Sequence, residues 1–163
     1  MEEQSMSKGE DAYELFAAAV GQPEGAGEWL EITQQRIDDF ADVTEDHQFI
    51  HVDPKQAAEL SPWGTTIAHG FLTLSLLSHL SGTIDQPAER LDGIVMGVNY
   101  GFEKVRFINP VKVGSKIRAS SVLAAVDRKD ANTLQTTRTM TVEIEGEDKP
   151  ALVADWITRL VYG

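Results

Sequence analysis

Between Ile67 and Leu80 the chain carries Leu72, Leu74, Leu76, Leu77 and Leu80 at spacings that place leucine on more than one face of a helix. A helix that is apolar on several faces has no side to turn toward water, so protein must enclose it. The residues that follow can do this. Leu134, Thr136, Arg138, Met140, Val142 and Ile144 alternate with polar neighbours, as do Leu152, Ala154, Trp156, Thr158 and Leu160, which is the period of a half-buried strand. Gly93 to Val98 and Lys104 to Ile108 read as further strands, and the polar runs Asp127–Asn132 and Glu145–Pro150 supply turns. Strands joined by short turns form an antiparallel sheet, and helices gathered before them give class α+β. The economical arrangement is a sheet curled around one buried helix.

The earlier part of the chain predicts shorter elements. Residues 1–10 are polar and are expected to fray, leaving residues 11–163 as a single domain. Tyr13, Leu15, Phe16, Ala19 and Val20 then mark a short amphipathic helix that stops at Gly21-Gln22-Pro23. Glu28 to Ile32 reads as a strand, Thr33 as the N-cap of a helix burying Ile37, Phe40 and Ala41, and Asp53-Pro54 as the cap and first residue of another helix.

A length of 163 residues suits one domain, and a formal net charge of −12 argues against nucleic acid or an anionic membrane surface as partner. Without cysteine the chain has no disulfide, no thiolate metal site and no cysteine nucleophile. The N-terminus lacks the basic and apolar blocks of a signal peptide, and no apolar run is long enough to span a membrane, so the cytoplasm is the expected compartment.

The chemistry concentrates in Thr44 to Pro54. Asp46 and His51 offer a carboxylate and an imidazole five residues apart, with Phe49 and Ile50 between them to anchor the segment in the core. Histidine is the side chain best poised for proton transfer near neutral pH, and a neighbouring carboxylate can orient it or share a water with it. Either residue could instead serve a turn or a helix cap. His47 and His51, with Asp53 or His69, could alternatively ligate a metal, although the surrounding turn residues do not favour the helix this would need. A serine hydrolase built on Ser75 or Ser78 lacks the flanking glycines of a nucleophile elbow. Gly70 is either a close-packing glycine or one whose backbone N–H points at a developing anion from a helix start.

These residues carry a resemblance. Asp46-x4-His51, Asp53-Pro54, the block Ile67-Ala68-His69-Gly70-Phe71-Leu72 and the stretch Val105 to Gly114 resemble the MaoC-like dehydratase family, and Asp46 to His51 with Thr66 to Leu76 resemble its NodN-like branch. The resemblance implies a hot-dog fold, with an antiparallel sheet wrapped around a long central helix, and an R-specific enoyl-CoA hydratase activity in a homodimer. It implies that Asp46 and His51 hold a water, that the Gly70 N–H receives the thioester oxygen, and that Ser78 supports the site. Gln48-Phe49 stands where many relatives have Asn-Pro, so the acyl pocket is expected to differ there.

The expected substrate is an acyl-CoA or acyl carrier protein thioester, bordered by Phe49 and His69, with Arg106 and Lys112, among Lys104, Lys116 and Arg118, available to the phosphates. No metal or other cofactor is required, because the thioester itself makes the alkene electrophilic. A hot-dog thioesterase and a noncatalytic acyl-thioester-binding subunit are the competing readings.

Overall fold

The computed structural model describes residues 7–163; the expected fraying of residues 1–6 lies outside the described residues. The first helix, α1 (Lys8–Ala19), starts earlier than the polar sequence suggests. Ser7 Oγ accepts from the Glu10 N–H at 3.3 Å, and the Glu10 carboxylate accepts from the Ser7 N–H at 3.0 Å. This capping box satisfies two donors that the helix start would otherwise leave unpaired, so residues 8–10 form a first turn instead of fraying. Ala12 and Phe16 then pack on Leu123, Leu134 and Tyr162 in a small core at one end of the sheet.

Two short strands follow, β1 (Pro23–Ala26) and β2 (Leu30–Glu31), so the strand expected from Glu28 to Ile32 is reduced to two residues. Next come α2 (Gln34–Thr44), α3 (Phe49–Val52) and α4 (Pro54–Leu60). Both expected caps are present: Thr33 accepts from the Arg36 N–H at 3.2 Å, and Asp53 accepts from the Gln56 N–H at 2.9 Å with Pro54 in the first helical position.

The apolar helix is α5 (Gly70–Ser75) continued by α6 (Leu77–Ser81). It begins three residues later than the leucine pattern implies, because the preceding backbone is taken by pairing: Ala68 N–H donates to the Val111 carbonyl at 2.7 Å and Val113 N–H to the Thr66 carbonyl at 3.0 Å. The long helix is irregular at Leu76, which keeps a right-handed helical conformation at φ −71° and ψ −11° and joins the two segments. A short α7 (Ala88–Leu91) precedes the main strands.

These are β3 (Ile94–Phe107), β4 (Lys116–Arg128), β5 (Thr133–Ile144) and β6 (Leu152–Tyr162), joined with β1 in the antiparallel order β1-β4-β5-β6-β3, while β2 also pairs with β4. The two strands expected between Gly93 and Ile108 are one. Irregularities in its register at Ile94/Met96, Asn99/Gly101 and Glu103/Arg106 bend it, and Lys104 sits at φ 53° within the last of these.

The concave face of the sheet closes on α5 and α6. Leu72, Leu77 and Leu80 pack with Met140, Val142, Leu152, Ala154 and Trp156, and this is the hot-dog arrangement. Full burial of each such leucine is worth roughly 1.5–3 kcal/mol. β3 is an edge strand, and Val95, Met96, Val98 and Tyr100 on it are all exposed.

The Thr33 cap carries a measurable share of the fold. Thr33→Ala should cost about 1 kcal/mol by leaving a donor of α2 unpaired. For a chain of this size thermal denaturation should show the melting temperature lowered by roughly 2–4 °C.

Candidate active site

The carboxylate and the two imidazoles are assembled by main-chain geometry. α2 ends at Thr44, and Glu45 adopts the left-handed conformation at φ 62°, which turns the chain sharply and presents Asp46 at the surface. The Asp46 carboxylate accepts from the Gln48 N–H at 3.4 Å, a long contact that leaves most of its hydrogen-bonding capacity open. His51 follows on α3 and is only 7% exposed. Its Nδ1 lies 2.7 Å from the Ile67 carbonyl oxygen. A carbonyl can only accept, so neutral His51 carries its proton on Nδ1 and presents an unprotonated Nε2.

His69 is arranged in the opposite sense. Its Nε2–H donates to the Asp46 carbonyl at 2.9 Å, while Nδ1 is buried with no partner among the described residues. The His51 and His69 rings stack at 3.8 Å with an interplanar angle of 23°, and Phe40 closes the other side of His69 at 5.0 Å. His69 thus supports the floor of the site and ties the Asp46 loop to the start of α5.

Burial pushes the His51 pKa below its ordinary value of 6.5, and the nearby His69 acts in the same direction; the Ile67 carbonyl and the Asp46 charge act against them. The net effect keeps His51 neutral, and therefore able to take a proton, over a wider pH range than a solvated histidine.

Ligand atoms of Asp46, His51 and His69 all lie within 4.8 Å of one another, a spacing compatible with a cation. The nearly parallel rings argue against it, because the lone pairs of stacked imidazoles run side by side instead of converging on one point. The metal set built on His47 and Asp53 is not assembled: His47 Nε2 turns outward to Asp42 at 2.8 Å, and Asp53 caps α4.

Gly70 is the first residue of α5, next to His69, and its N–H has no acceptor among the described residues. It borders a cavity of about 230 Å³ together with Thr73, Phe107 and Ala151. A Cβ on Gly70 would lie 2.9 Å from the Phe107 ring, so close packing and an available N–H coexist at this position. Phe71 meets the same ring edge-on at 6.0 Å.

The remaining candidates are dispersed. Phe49 is half-buried on α3, and Ser78 lies exposed on α6, where it lines a second cavity and makes no hydrogen bond to Asp46 or His51. Arg106 and Lys112 are exposed, Lys112 directly opposite Ile67 in an isolated bridge. Arg118 is held by Glu143 and stacks on Trp29 at 4.5 Å, and Lys104 pairs with Asp155 at 3.1 Å, so both are engaged elsewhere.

One positioning residue escaped the sequence reading. Gln34 Nε2 donates to the His51 carbonyl at 2.7 Å and to Asp38 at 2.9 Å, while its Oε1 accepts from Thr66 at 2.5 Å. It thereby fastens α2 to both segments that carry the histidines. A glutamine in the first turn of an ordinary amphipathic helix has no feature in sequence that distinguishes it.

Comparison with known proteins shows the family of the chain. Nodulation protein N of Rhizobium leguminosarum bv. viciae is 52% identical over 143 residues, covering 88% of this chain and 87% of that protein. The 3-hydroxyacyl-thioester dehydratase Z of Mycobacterium tuberculosis is 49% identical over 146 residues, covering 90% and 93%. Among solved structures, the (R)-hydratase from A. caviae involved in PHA biosynthesis superposes with a TM-score of 0.64 at 26% identity, covering 85% of this chain and 94% of that one. The MaoC like domain family matches residues 15–145, and the chain belongs to that family.

Proposed function

We propose that the protein adds water across trans-2-enoyl thioesters to give (3R)-hydroxyacyl thioesters, and catalyses the reverse dehydration. The observation that carries this reading is the His51 imidazole, pinned through Nδ1 to the Ile67 carbonyl with Nε2 left unprotonated in the company of the Asp46 carboxylate. The names of the dehydratase and hydratase relatives support the reaction class and its hand.

In the hydration direction Asp46 and His51 hold one water between them. His51 Nε2 takes a proton as the oxygen attacks C3, negative charge develops on the thioester oxygen, and a proton is returned to C2. The Gly70 N–H receives that charge at the start of α5. The thioester supplies the electrophilic activation, so the scheme requires no metal or redox cofactor. Phe49 and Ser78 border the acyl group in this reading, and Arg106 and Lys112 receive the phosphates of coenzyme A or of an acyl carrier protein. The cytoplasm is the compartment proposed with this reading. Among the described residues no helix is long and apolar enough to cross a membrane.

A homodimer belongs to the same proposal. An uncovered apolar edge strand is a site for pairing, and β3 presents Val95, Met96, Val98 and Tyr100 there. A two-fold axis at that edge would continue the sheet into a second copy. Sedimentation at micromolar concentration should give a species about twice the 17.9 kDa chain mass, and a species of one chain mass alone would refute the assembly.

Purified protein should remove the conjugated absorbance of an enoyl-CoA within a panel from short to long chains and yield the R alcohol; an S product or an unchanged panel overturns the proposal. Asp46→Asn or His51→Ala should lower kcat by roughly 10²- to 10⁴-fold. His51 must be neutral to accept the water proton, so kcat/KM should hold as pH falls through the ordinary imidazole value of about 6.5 and decline only below it. Fold stability follows the same sign: it is fully present above about pH 6.5 and lost toward acid, because the unfolded chain's His51 takes up a proton first. An acid limb at or above pH 6.5 would remove His51 from the role of base.

Gly70 separates chemistry from packing. Gly70→Ala keeps the N–H but sets a methyl in the path of the thioester, so it should lower kcat by roughly 10²- to 10³-fold, comparable to the loss of one oxyanion donor. The added methyl also meets Phe107, so the double variant Gly70→Ala/Phe107→Ala relieves the crowding. Turnover that stays low in the double variant supports the oxyanion role, and turnover restored by it shows that Gly70 serves packing.

A further inference from the structure

The concave face of the sheet is apolar for most of its length, and one buried polar cluster interrupts it. Arg138 on β5 occupies an inward position of the alternation, with its side chain 15% exposed. Its Nε donates to Glu24 Oε2 at 2.8 Å and its Nη1 to Thr136 at 3.1 Å. Glu24, 4% exposed, also accepts from Ser121 at 2.7 Å and lies 3.6 Å from Arg90. Two guanidinium groups against one carboxylate leave one surplus positive charge in a place poorly reached by water.

Arg138 and Ser121 form part of the wall of a partly open cavity of about 370 Å³, which the exposed Ser78, Gly82 and Asn99 also border. Trp156 and Gln86 also line it, together with the apolar Ile84, Leu91, Ile94 and Leu160, and Trp156 Nε1–H and Gln86 Oε1 are buried with no partner among the described residues. Trp156 is 8% exposed, and its ring is fixed by stacking on Phe102 at 5.9 Å and 8°. A buried donor or acceptor without a partner is unfavourable, and a cavity meant for an alkyl chain alone has no use for one.

We propose that this cavity receives the far end of the acyl group and selects substrates that carry an oxygen there, a hydroxyl or a carboxylate, bound by the Trp156 N–H beside Arg138. The inference rests on the thioester hydratase reading above. Ser78 stands eight residues beyond Gly70, roughly 12 Å along the helical segment at 1.5 Å per residue, so a thioester held at Gly70 can extend a medium-length chain into the cavity. A hydroxyl would accept from Trp156 and donate to Gln86, whereas a carboxylate would draw on the surplus charge of the arginines.

The test compares three trans-2-enoyl-CoA thioesters of equal length ending in a methyl, a hydroxyl and a carboxylate. The expected result is a kcat/KM at least about tenfold higher for one oxygenated thioester than for the methyl one, the scale of a neutral hydrogen bond. Preference for the carboxylate assigns the arginines as its source, and preference for the hydroxyl assigns the Trp156/Gln86 pair. Trp156→Phe keeps the ring and loses the N–H, so it should erase most of a hydroxyl preference, read as the ratio of the hydroxyl and methyl kcat/KM values within the variant, and Arg138→Gln should do the same for a carboxylate preference. Gln86→Met serves the same purpose for the hydroxyl should the tryptophan variant fail to fold.

Equal or better turnover of the methyl thioester by the wild-type protein overturns the proposal, as does a hydroxyl preference that survives both Trp156→Phe and Gln86→Met or a carboxylate preference that survives Arg138→Gln. If none of the three is hydrated, the hydratase reading is what fails. Calorimetric Kd values for the matching saturated acyl-CoA thioesters then decide the cavity's role: tighter binding of an oxygenated tail upholds it, and no difference overturns it.

Discussion

Ile67 holds the structure and the site in one place, because both of its backbone groups are committed to the same short segment. Its N–H donates to the Ile50 carbonyl at 3.0 Å, and its carbonyl accepts from His51 at 2.7 Å. The flanking residues Thr66 and Ala68 pair with Val113 and Val111, so this stretch behaves as a fragment of strand immediately before the chain turns into α5. Its position fixes the tautomer of His51, the entry of the buried helix and the placement of His69. A shift of this stretch would move the imidazole and the Gly70 N–H together.

The site gains its character from unequal burial. Asp46 is exposed and keeps acceptor sites open, while His51, five residues later, is enclosed and held neutral. A solvated histidine would spend more of its time protonated near neutral pH and would be a poorer acceptor for a water proton. His69 stacks on the His51 ring and acts in the same direction as burial on its pKa. Gln34 and Thr66 brace the same assembly from α2.

Much of this was legible in the sequence. The alternation in β5 and β6 gave the sheet, the leucines gave the enclosed helix, and the motif Asp46-x4-His51 named a carboxylate and an imidazole whose ligand atoms lie within 4.8 Å of one another. What escaped was what depends on distant partners. The start of α5 is delayed by pairing with Val111, the capping box of Ser7 was hidden in a polar N-terminal stretch, and β3 reads as two strands because its irregular register breaks the alternation. Arg138 was read only as part of an alternating strand, since its pairing with Glu24 spans 114 residues of sequence.

The joint at Leu76 divides the central helix into segments of six and five residues. Neither has the roughly 12–15 residues that an isolated helix needs to be even marginally stable in water. The order of this helix is therefore borrowed from the sheet that surrounds it, and the Gly70 N–H acquires a fixed direction only after β5 and β6 have closed around Leu77 and Leu80. Formation of the helix start that carries the Gly70 N–H and completion of the hydrophobic core are in this sense one cooperative event, so that a chain with an unfinished core has no ordered entry to α5.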